Sequence, residues 1–343
     1  MVKRQNRYYQ GPPSDHYDGH RFFMPGHRMA NGLREIVKWQ RAGGRQAWPR
    51  RVDNPPQPVP PDAIDHLRVT YIGHATTLIQ VAGLNILTDP YFSWRASPVQ
   101  WAGPKRVRAP GLALDELPRI DAVLVSHNHY DHMDLPSLRR LFDSHRPRIL
   151  TPLGNGAIVA RTRRPLDVTE GDWGDKVALG DGVAVTFAPA LHWSKRGLHD
   201  RNMALWCAFV IETRADTIYF AGDTGYGSGA HFREIRREFG PVKLALLPIG
   251  AYEPRWFMHP QHMNPEEAVK AHLDLAAGLS IGVHHATVQL TDEAIDEPAA
   301  ALARALIAHH VEPQRFVVLD PGAGLQVADL AQAQETVLGT AAE

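Results

Sequence analysis

Apolar and polar positions change their spacing along this chain, and the changes mark its elements. From Leu67, the runs RVTYIGHATTLIQV and LNILTDP, parted by Ala82-Gly83, carry the β-branched density of strands and predict a β-hairpin. Short apolar runs recur at AVLVSH, RILTP, VAVTFAPALHWS, MALWCAFVIET, TIYFAGDTG, KLALLPIGA, LSIGVHHAT and RFVVL. Each is too short for a helix and bounded by turn residues, so each predicts a strand. DVTEGDWGDKVALG reads as a short strand and a polar turn, and GNGAIVART as a helix or turn. Spacings of three and four predict helices over SLRRLF after Pro136, at HFREIRREFG closed by Gly240, and at EPAAALARALIAHH. A further helix, NPEEAVKAHLDLAAG, has Asn264 placed as N-cap and Pro265 at its first position.

Residues 1 to about 65 break this rhythm. Pro12, Pro13, Pro25, Pro49 and the run PPQPVPP favour extended, semi-rigid chain. One short helix is expected at GLREIVKWQR, with Leu33, Ile36, Val37 and Trp39 facing inward. Phe22, Phe23 and Trp48 give the segment apolar surface to bury. The expected organisation is an N-terminal arm, 1–65, packed on one domain, 66–343, made of two β-sheets with helices outside.

Composition narrows the function. Lys+Arg and Asp+Glu balance at 37 each, so no long-range field favours nucleic acid. The single cysteine, Cys207, rules out an internal disulfide, fits a reducing compartment, and sits in an apolar run where packing explains it. No stretch has the length of a membrane span, and MVKRQNRYYQ has no apolar core of a signal peptide behind its charges. The expected location is the cytoplasm, with peripheral membrane contact open. The oligomeric state is also open, a dimer being compatible.

Chemistry concentrates after one strand. IDAVLVSHNHYDHMD turns from a buried-strand pattern into four potential metal ligands within six positions: His127, His129, Asp131 and His132. Residues two apart in an extended loop project the same way, so His127 and His129 can grip one cation, while Asp131 and His132 reach a second. Neutral imidazole and carboxylate are the ligands of Zn²⁺ where water must also bind, and Fe or Mn accept them too. His192, Asp223 and His284 each follow a further apolar run, and the Asp223 carboxylate could bridge two cations. His285 follows His284 directly; alternation along a strand lets one of the two face the metals, and His284 is favoured.

The order H-x-H-x-D-H, His, Asp, His resembles the metallo-β-lactamase superfamily, whose four-layer αββα fold holds a dinuclear metal site between two sheets. On that resemblance His127, His129 and His192 hold one metal, Asp131, His132 and His284 the other, and Asp223 bridges. The strings GHAT, TDPYFSWRASPVQWAGPKR, SHNHYDHMD, AGDTGY, LPIGAYEPRWFM and HMNPEEAVKAH are similar to the N-acylphosphatidylethanolamine-hydrolysing phospholipase D group within it. The resemblance implies a zinc-dependent phosphodiesterase in which a hydroxide poised between two Zn²⁺ ions attacks phosphorus. It also implies Asp89 as an acidic residue that orients a ligand imidazole, and His262 as an acid or phosphate donor near the scissile bond. His74 is a candidate hydrogen-bonding partner of the site. Lys105, Arg106, Lys195 and Arg196 are candidates to meet a phosphate, and Trp94, Trp101, Trp193, Trp256 and Phe257 to line an acyl channel. The alternatives are a hydrolase of a small soluble ester, lactone or cyclic phosphodiester, and a non-catalytic zinc-binding scaffold.

Overall fold

The computed structural model describes residues 5–27, 32–62, 64, 66–180 and 182–327. Its strands are β1 (Arg68–Gly73), β2 (Thr76–Val81), β3 (Leu84–Thr88), β4 (Ala122–Leu124), β5 (Arg148–Pro152), β6 (Asp167–Gly171), β7 (Lys176–Gly180), β8 (Val183–Ala188), β9 (Ala208–Glu212), β10 (Thr217–Phe220), β11 (Leu244–Pro248), β12 (Leu279–Val283), β13 (Phe316–Val317) and β14 (Gly324–Gln326). Its helices are α1 (Leu33–Ala42), α2 (Leu135–His145), α3 (Gly156–Val159), α4 (Ala230–Phe239), α5 (Arg255–Met258), α6 (Pro265–Asp274) and α7 (Glu297–Ala308).

Two seven-stranded sheets form, in the orders β14-β1-β2-β3-β4-β5-β6 and β13-β12-β11-β10-β9-β8-β7. Each is antiparallel in one half and parallel in the other. The sheets bury their inner faces against each other through Val69, Ile86, Leu124 and Leu150 on one side and Phe187, Phe209, Phe220 and Ile281 on the other. The outer face of the first sheet, with Val123 and Ile149, packs against Leu138 and Leu141 of α2. The outer face of the second, with Val210 and Tyr219, packs against Phe232 of α4, Val269 of α6 and Leu302 of α7. This is the four-layer αββα sandwich. Because both faces of each sheet are covered, strands such as β4 (AVL) and β11 (LALLP) are apolar on both sides instead of alternating.

Local chemistry sets the helix ends. Asn264 Oδ1 accepts from Glu267 N at 2.9 Å while Glu267 Oε2 accepts from Asn264 N at 3.0 Å, a reciprocal cap at the start of α6. Gly240, at φ 78°, closes α4 in a conformation that a side chain would strain.

Three expectations need correction. The first arm of the expected hairpin is two strands, because the chain reverses at Gly73 (φ 135°) and His74 (φ 57°). The turn is set by tertiary contact, with His74 N donating to Thr287 Oγ1 at 3.0 Å, and a local pattern cannot show that. The polar turn in DVTEGDWGDKVALG leads into a second strand and carries the chain from β6 in one sheet to β7 in the other. RFVVL supplies only Phe316–Val317 to its sheet; the chain then crosses to pair β14 with β1.

Described residues of the N-terminal segment contact the sandwich. Phe22 is 1% exposed and its N–H donates to Asn202 O at 2.7 Å, whereas Phe23 is 39% exposed. Trp48 Nε1 donates to Glu293 O at 2.8 Å. In α1, Ile36 and Trp39 face the body, but Val37 is 36% exposed, against expectation. The side chain of Leu33 lies outside the described set.

Candidate metal centre

All the candidate ligands leave carboxyl ends of strands at one rim of the sandwich, where open sheets place their functional loops. His127 follows β4, His192 β8, Asp223 β10 and His284 β12. The structure brings all seven candidate ligands together, with His74 among them. The ligand atoms of His127, His129, His192 and Asp223 lie within 4.8 Å of one another, and so do those of His74, Asp131, His132 and His284. Asp223 touches both groups: its Oδ2 is 3.7 Å from His192 Nε2 and 3.2 Å from His132 Nε2, and its Oδ1 is 3.3 Å from His284 Nε2. His285 points away, its ring stacked on Tyr71 with centroids 5.7 Å apart.

Hydrogen bonds behind the ligands decide which nitrogens face inward. Asp89 Oδ1 accepts from Ser126 N at 2.7 Å, and its Oδ2 accepts from Ser126 Oγ at 2.6 Å and His132 Nδ1 at 2.6 Å. With its proton given to Asp89, the Ser126 hydroxyl accepts from His127 Nδ1 at 2.9 Å. His192 Nδ1 donates to Gln261 O at 3.0 Å. The Nε2 lone pairs of His127, His132 and His192 are therefore all aimed at the interior of the cluster. His74 Nε2 donates to Asp131 Oδ2 at 2.8 Å and fixes that carboxylate.

The donor set fits cations. His129 Nδ1 lies 2.8 Å from His127 Nε2 and 3.2 Å from His192 Nε2. A proton on His129 Nδ1 bridges such nitrogens, and a cation can replace it, since ligands about 2.0–2.1 Å from a tetrahedral Zn²⁺ stand roughly 3.3 Å apart. Burial holds His127 and His192 well below the usual imidazole range and His129 down to about 4, so all three are neutral imidazoles at neutral pH. Burial also opposes charge on His132, yet the Asp223, Asp131 and Asp89 carboxylates push it well above that range. Such a convergence of carboxylates favours positive charge at the position. His74 (φ 57°), Asp89 (φ 30°) and His284 (φ 61°) adopt left-handed backbone, strain that concentrates at functional sites.

A cleft of about 370 Å³ opens onto this cluster, exposing His129, Asp131, Asp223 and His262 at its floor. Ile36 and Trp39 of α1, with Trp193, Phe257, Met258 and Leu290, supply apolar walls. His262 is 9% exposed, with Nδ1 4.0 Å from Asp223 Oδ2; burial lowers it to about 4, so it is a neutral imidazole. A larger hollow of about 960 Å³ is lined by α1 and Trp256, with Arg34, Lys38 and Arg41, and by none of the candidate ligands.

Of the four cations considered for phosphate, only Lys195 lines the cleft. Lys105 lies on the surface with Nζ 5.9 Å from the Trp94 ring. Arg106 is buried, and Arg196 donates through Nη1 to Asn128 O and Met133 O. Of the loop aromatics, Trp193 and Phe257 reach the cleft, whereas Trp94, Trp101 and Trp256 are 59%, 83% and 45% exposed. Sequence reasoning missed Ser126, Gln261 O, and the cleft-lining role of Ile36 and Trp39. Ser126 alone carried a local signal, its place directly before His127.

Residues 84–285 match the family model described as the Beta-lactamase superfamily domain. The chain is 39% identical over 269 residues to N-acyl-phosphatidylethanolamine-hydrolyzing phospholipase D 1 of Caenorhabditis elegans, covering 75% of this chain and 74% of that one. It is 38% identical over 239 residues to the mitochondrial N-acyl-phosphatidylethanolamine-hydrolyzing phospholipase D of Saccharomyces cerevisiae, covering 68% of this chain and 50% of that one. Among solved structures, isothiocyanate hydrolase from Delia radicum gut bacteria aligns with a TM-score of 0.59 at 21% identity, covering 75% of this chain and 98% of that one, a likeness of fold alone. The matched span takes in every candidate ligand from His127 to His284, and the chain belongs to the metallo-β-lactamase superfamily of metal-dependent hydrolases.

Proposed function

We propose that the chain is a zinc-dependent phosphodiesterase that hydrolyses a phospholipid of the N-acylphosphatidylethanolamine class in the manner of a phospholipase D. His127, His129 and His192 would hold one ion and Asp131, His132 and His284 the other, with Asp223 shared between them. One observation carries this reading: a single carboxylate, Asp223, is within reach of both imidazole groups at the floor of an apolar-walled cleft. Two cations bound there would acidify water towards neutrality and offset the charge that develops on phosphoryl oxygens.

The chain's own groups do the rest. Asp89, through His132 and Ser126, and His74, through Asp131, keep the ligands oriented and are positioning residues. His262 faces the cleft as a neutral imidazole and donates a hydrogen bond to the bound phosphodiester. Lys195, at the mouth, pairs with its negative charge. Ile36, Trp39, Phe257 and Met258 take the acyl chains, whose burial excludes bulk water. Residues 1–65 thereby act as an arm that completes the substrate cleft of the hydrolase domain, 66–343.

A lipid substrate calls for contact with a bilayer. Trp94, Trp101 and Trp256 are exposed, and Lys105 and Lys38 lie over the Trp94 and Trp256 rings at 5.9 and 4.7 Å. Amphipathic rings paired with cations suit an interface with anionic head groups. Among the described residues no helix is long and apolar enough to cross a membrane, so the proposed contact is peripheral.

The test is incubation with vesicles containing N-acylphosphatidylethanolamine, with products identified by mass spectrometry. Release of N-acylethanolamine and phosphatidic acid, abolished by a chelator, is expected. Hydrolysis of soluble bis(p-nitrophenyl) phosphate with no lipid turnover would reject the lipid assignment and keep the diesterase.

A further inference from the structure

Arg106 is 2% exposed, and its Nε, Nη1 and Nη2 have no hydrogen-bond partner among the described residues. An arginine stays charged in a protein, and a buried ion without compensation is strongly destabilising. The Tyr91 ring, 4.8 Å from the guanidinium carbon, eases the charge through its π face but offers no in-plane acceptor. The Tyr91 hydroxyl is itself buried and unpartnered. Asp134 acts on Arg106 from nearby, yet its oxygens already accept from Ser93 N, Ser93 Oγ and Ser137 Oγ.

The surroundings add positive charge and room. Arg106 forms an isolated bridge with Val288, and Arg106 and Arg108, two residues on, both act on Tyr71. Gly73 leaves a gap beside them: a Cβ placed there would lie 3.8 Å from Thr287 Oγ1 and 4.0 Å from Arg106 Nη2, ordinary contact distances. Thr287, Tyr71 and Arg108 also line a cavity of about 220 Å³ that holds His285, whose Nε2 is buried and unpartnered. Arg106 Nε, Nη1 and Nη2 and Arg108 Nε are thus buried donors with no acceptor bonded to them among the described residues.

We propose that Arg106 is the anchor of a second binding site, for a small monovalent anion such as chloride or the carboxylate of a short organic acid. Arg106 does not itself line the Tyr71–Arg108–His285 cavity; Thr287 lies on both that cavity and the space beside Gly73 and Arg106, and the ligand enters by that side to accept hydrogen bonds from the Arg106 guanidinium. Asp296 and Asp320 also line that cavity; their charge opposes any anion there, and a multiply charged one such as phosphate most strongly. Occupancy has a consequence for the metal centre. The Gly73–His74 turn beside Arg106 is held by Thr287 Oγ1, which accepts from His74 N at 3.0 Å, and His74 O accepts from His284 N at 2.8 Å. An anion at Arg106 braces the turn that sets His74 against Asp131, so it stabilises the fold at the metal centre without entering the substrate cleft. The site does not depend on which substrate the cleft takes.

The test uses the full, metal-loaded chain. Crystals of the wild type grown in chloride-free solution and soaked in sodium bromide are expected to give an anomalous peak in hydrogen-bond contact with the Arg106 guanidinium. In isethionate buffer at constant ionic strength, sodium chloride or sodium acetate is expected to raise Tm saturably in the wild type and not in Arg106→Gln. A response to acetate alone identifies the carboxylate as the ligand, and a response to chloride alone identifies the halide. Bromide crystals with only water at Arg106, together with a wild-type Tm indifferent to both salts, would overturn the proposal even if Arg106→Gln failed to fold.

Discussion

Asp89 accepts a hydrogen bond of 2.6 Å from His132 Nδ1, and neither side chain is exposed to solvent. The same carboxylate fixes His127 through Ser126, so one buried acid orients an imidazole in each ligand group. Asp89→Asn keeps the volume but loses the charge that holds both tautomers. Expected outcomes are a roughly 10–100-fold loss of metal affinity and activity with the fold retained. Chelator competition and circular dichroism on the same sample check this; wild-type metal affinity in the variant would remove Asp89 from the account.

Asp131→Ala and His132→Ala each delete a proposed ligand. Activity on a phosphodiester is expected to vanish in both, with added Zn²⁺ failing to restore it. Turnover at the wild-type rate in either variant would refute the two-ion centre.

Arg196 secures the ligand loop from outside. Its Nη1 donates to Asn128 O at 2.9 Å and Met133 O at 2.7 Å, its guanidinium lies 3.9 Å from the Tyr130 ring centroid, and Tyr130 Oη donates to Arg196 O at 3.1 Å. Charge-assisted bonds of this kind contribute about 1.5–3 kcal/mol each. Arg196→Ala is therefore expected to release metal to a chelator faster than the wild type. Arg196→Lys, which keeps the charge but loses the fork, is expected to fall between them. Equal release rates in all three would show that the loop holds its own shape.

The ligand cluster was legible because its chemistry is local. His127, His129, Asp131 and His132 crowd one loop, and His192, Asp223 and His284 each follow an apolar run. What sits behind the ligands was less legible. Gln261 holds His192 with a backbone oxygen that any residue would supply. The Gly73–His74 turn looks like continuous strand, and its reversal depends on Thr287, more than 200 positions away. The sandwich was readable from alternating strand and helix patterns, but β14 was not. Three residues, Gly324–Gln326, carry no periodicity and pair with β1 only because the chain returns there. Arg106 and Arg196 stand in the sequence as candidates to meet a phosphate, since a sequence does not tell a buried guanidinium from a solvated one.

Acid stability has a specific contributor in Asp200. Burial raises its pKa, but hydrogen bonds from Gly197 N, Tyr8 Oη and Arg196 N and the charge of Arg7 outweigh this, and the net shift is downward. A carboxyl depressed in the folded state stabilises above its unfolded value, near 3.9, and that contribution is lost as pH falls through the folded value. Asp200→Asn is expected to lower Tm at neutral pH and to flatten its decline below about pH 4. An unchanged acid limb in thermal melts would assign acid sensitivity elsewhere.

The central claim is that seven side chains cage two cations with Asp223 between them. Anomalous diffraction at the zinc edge from crystals of the zinc-loaded protein tests it most directly. The account predicts two peaks about 3.5–4 Å apart on either side of the Asp223 carboxylate, one among His127, His129 and His192 and the other among Asp131, His132 and His284. A single peak, or zinc bound away from Asp223, would contradict it.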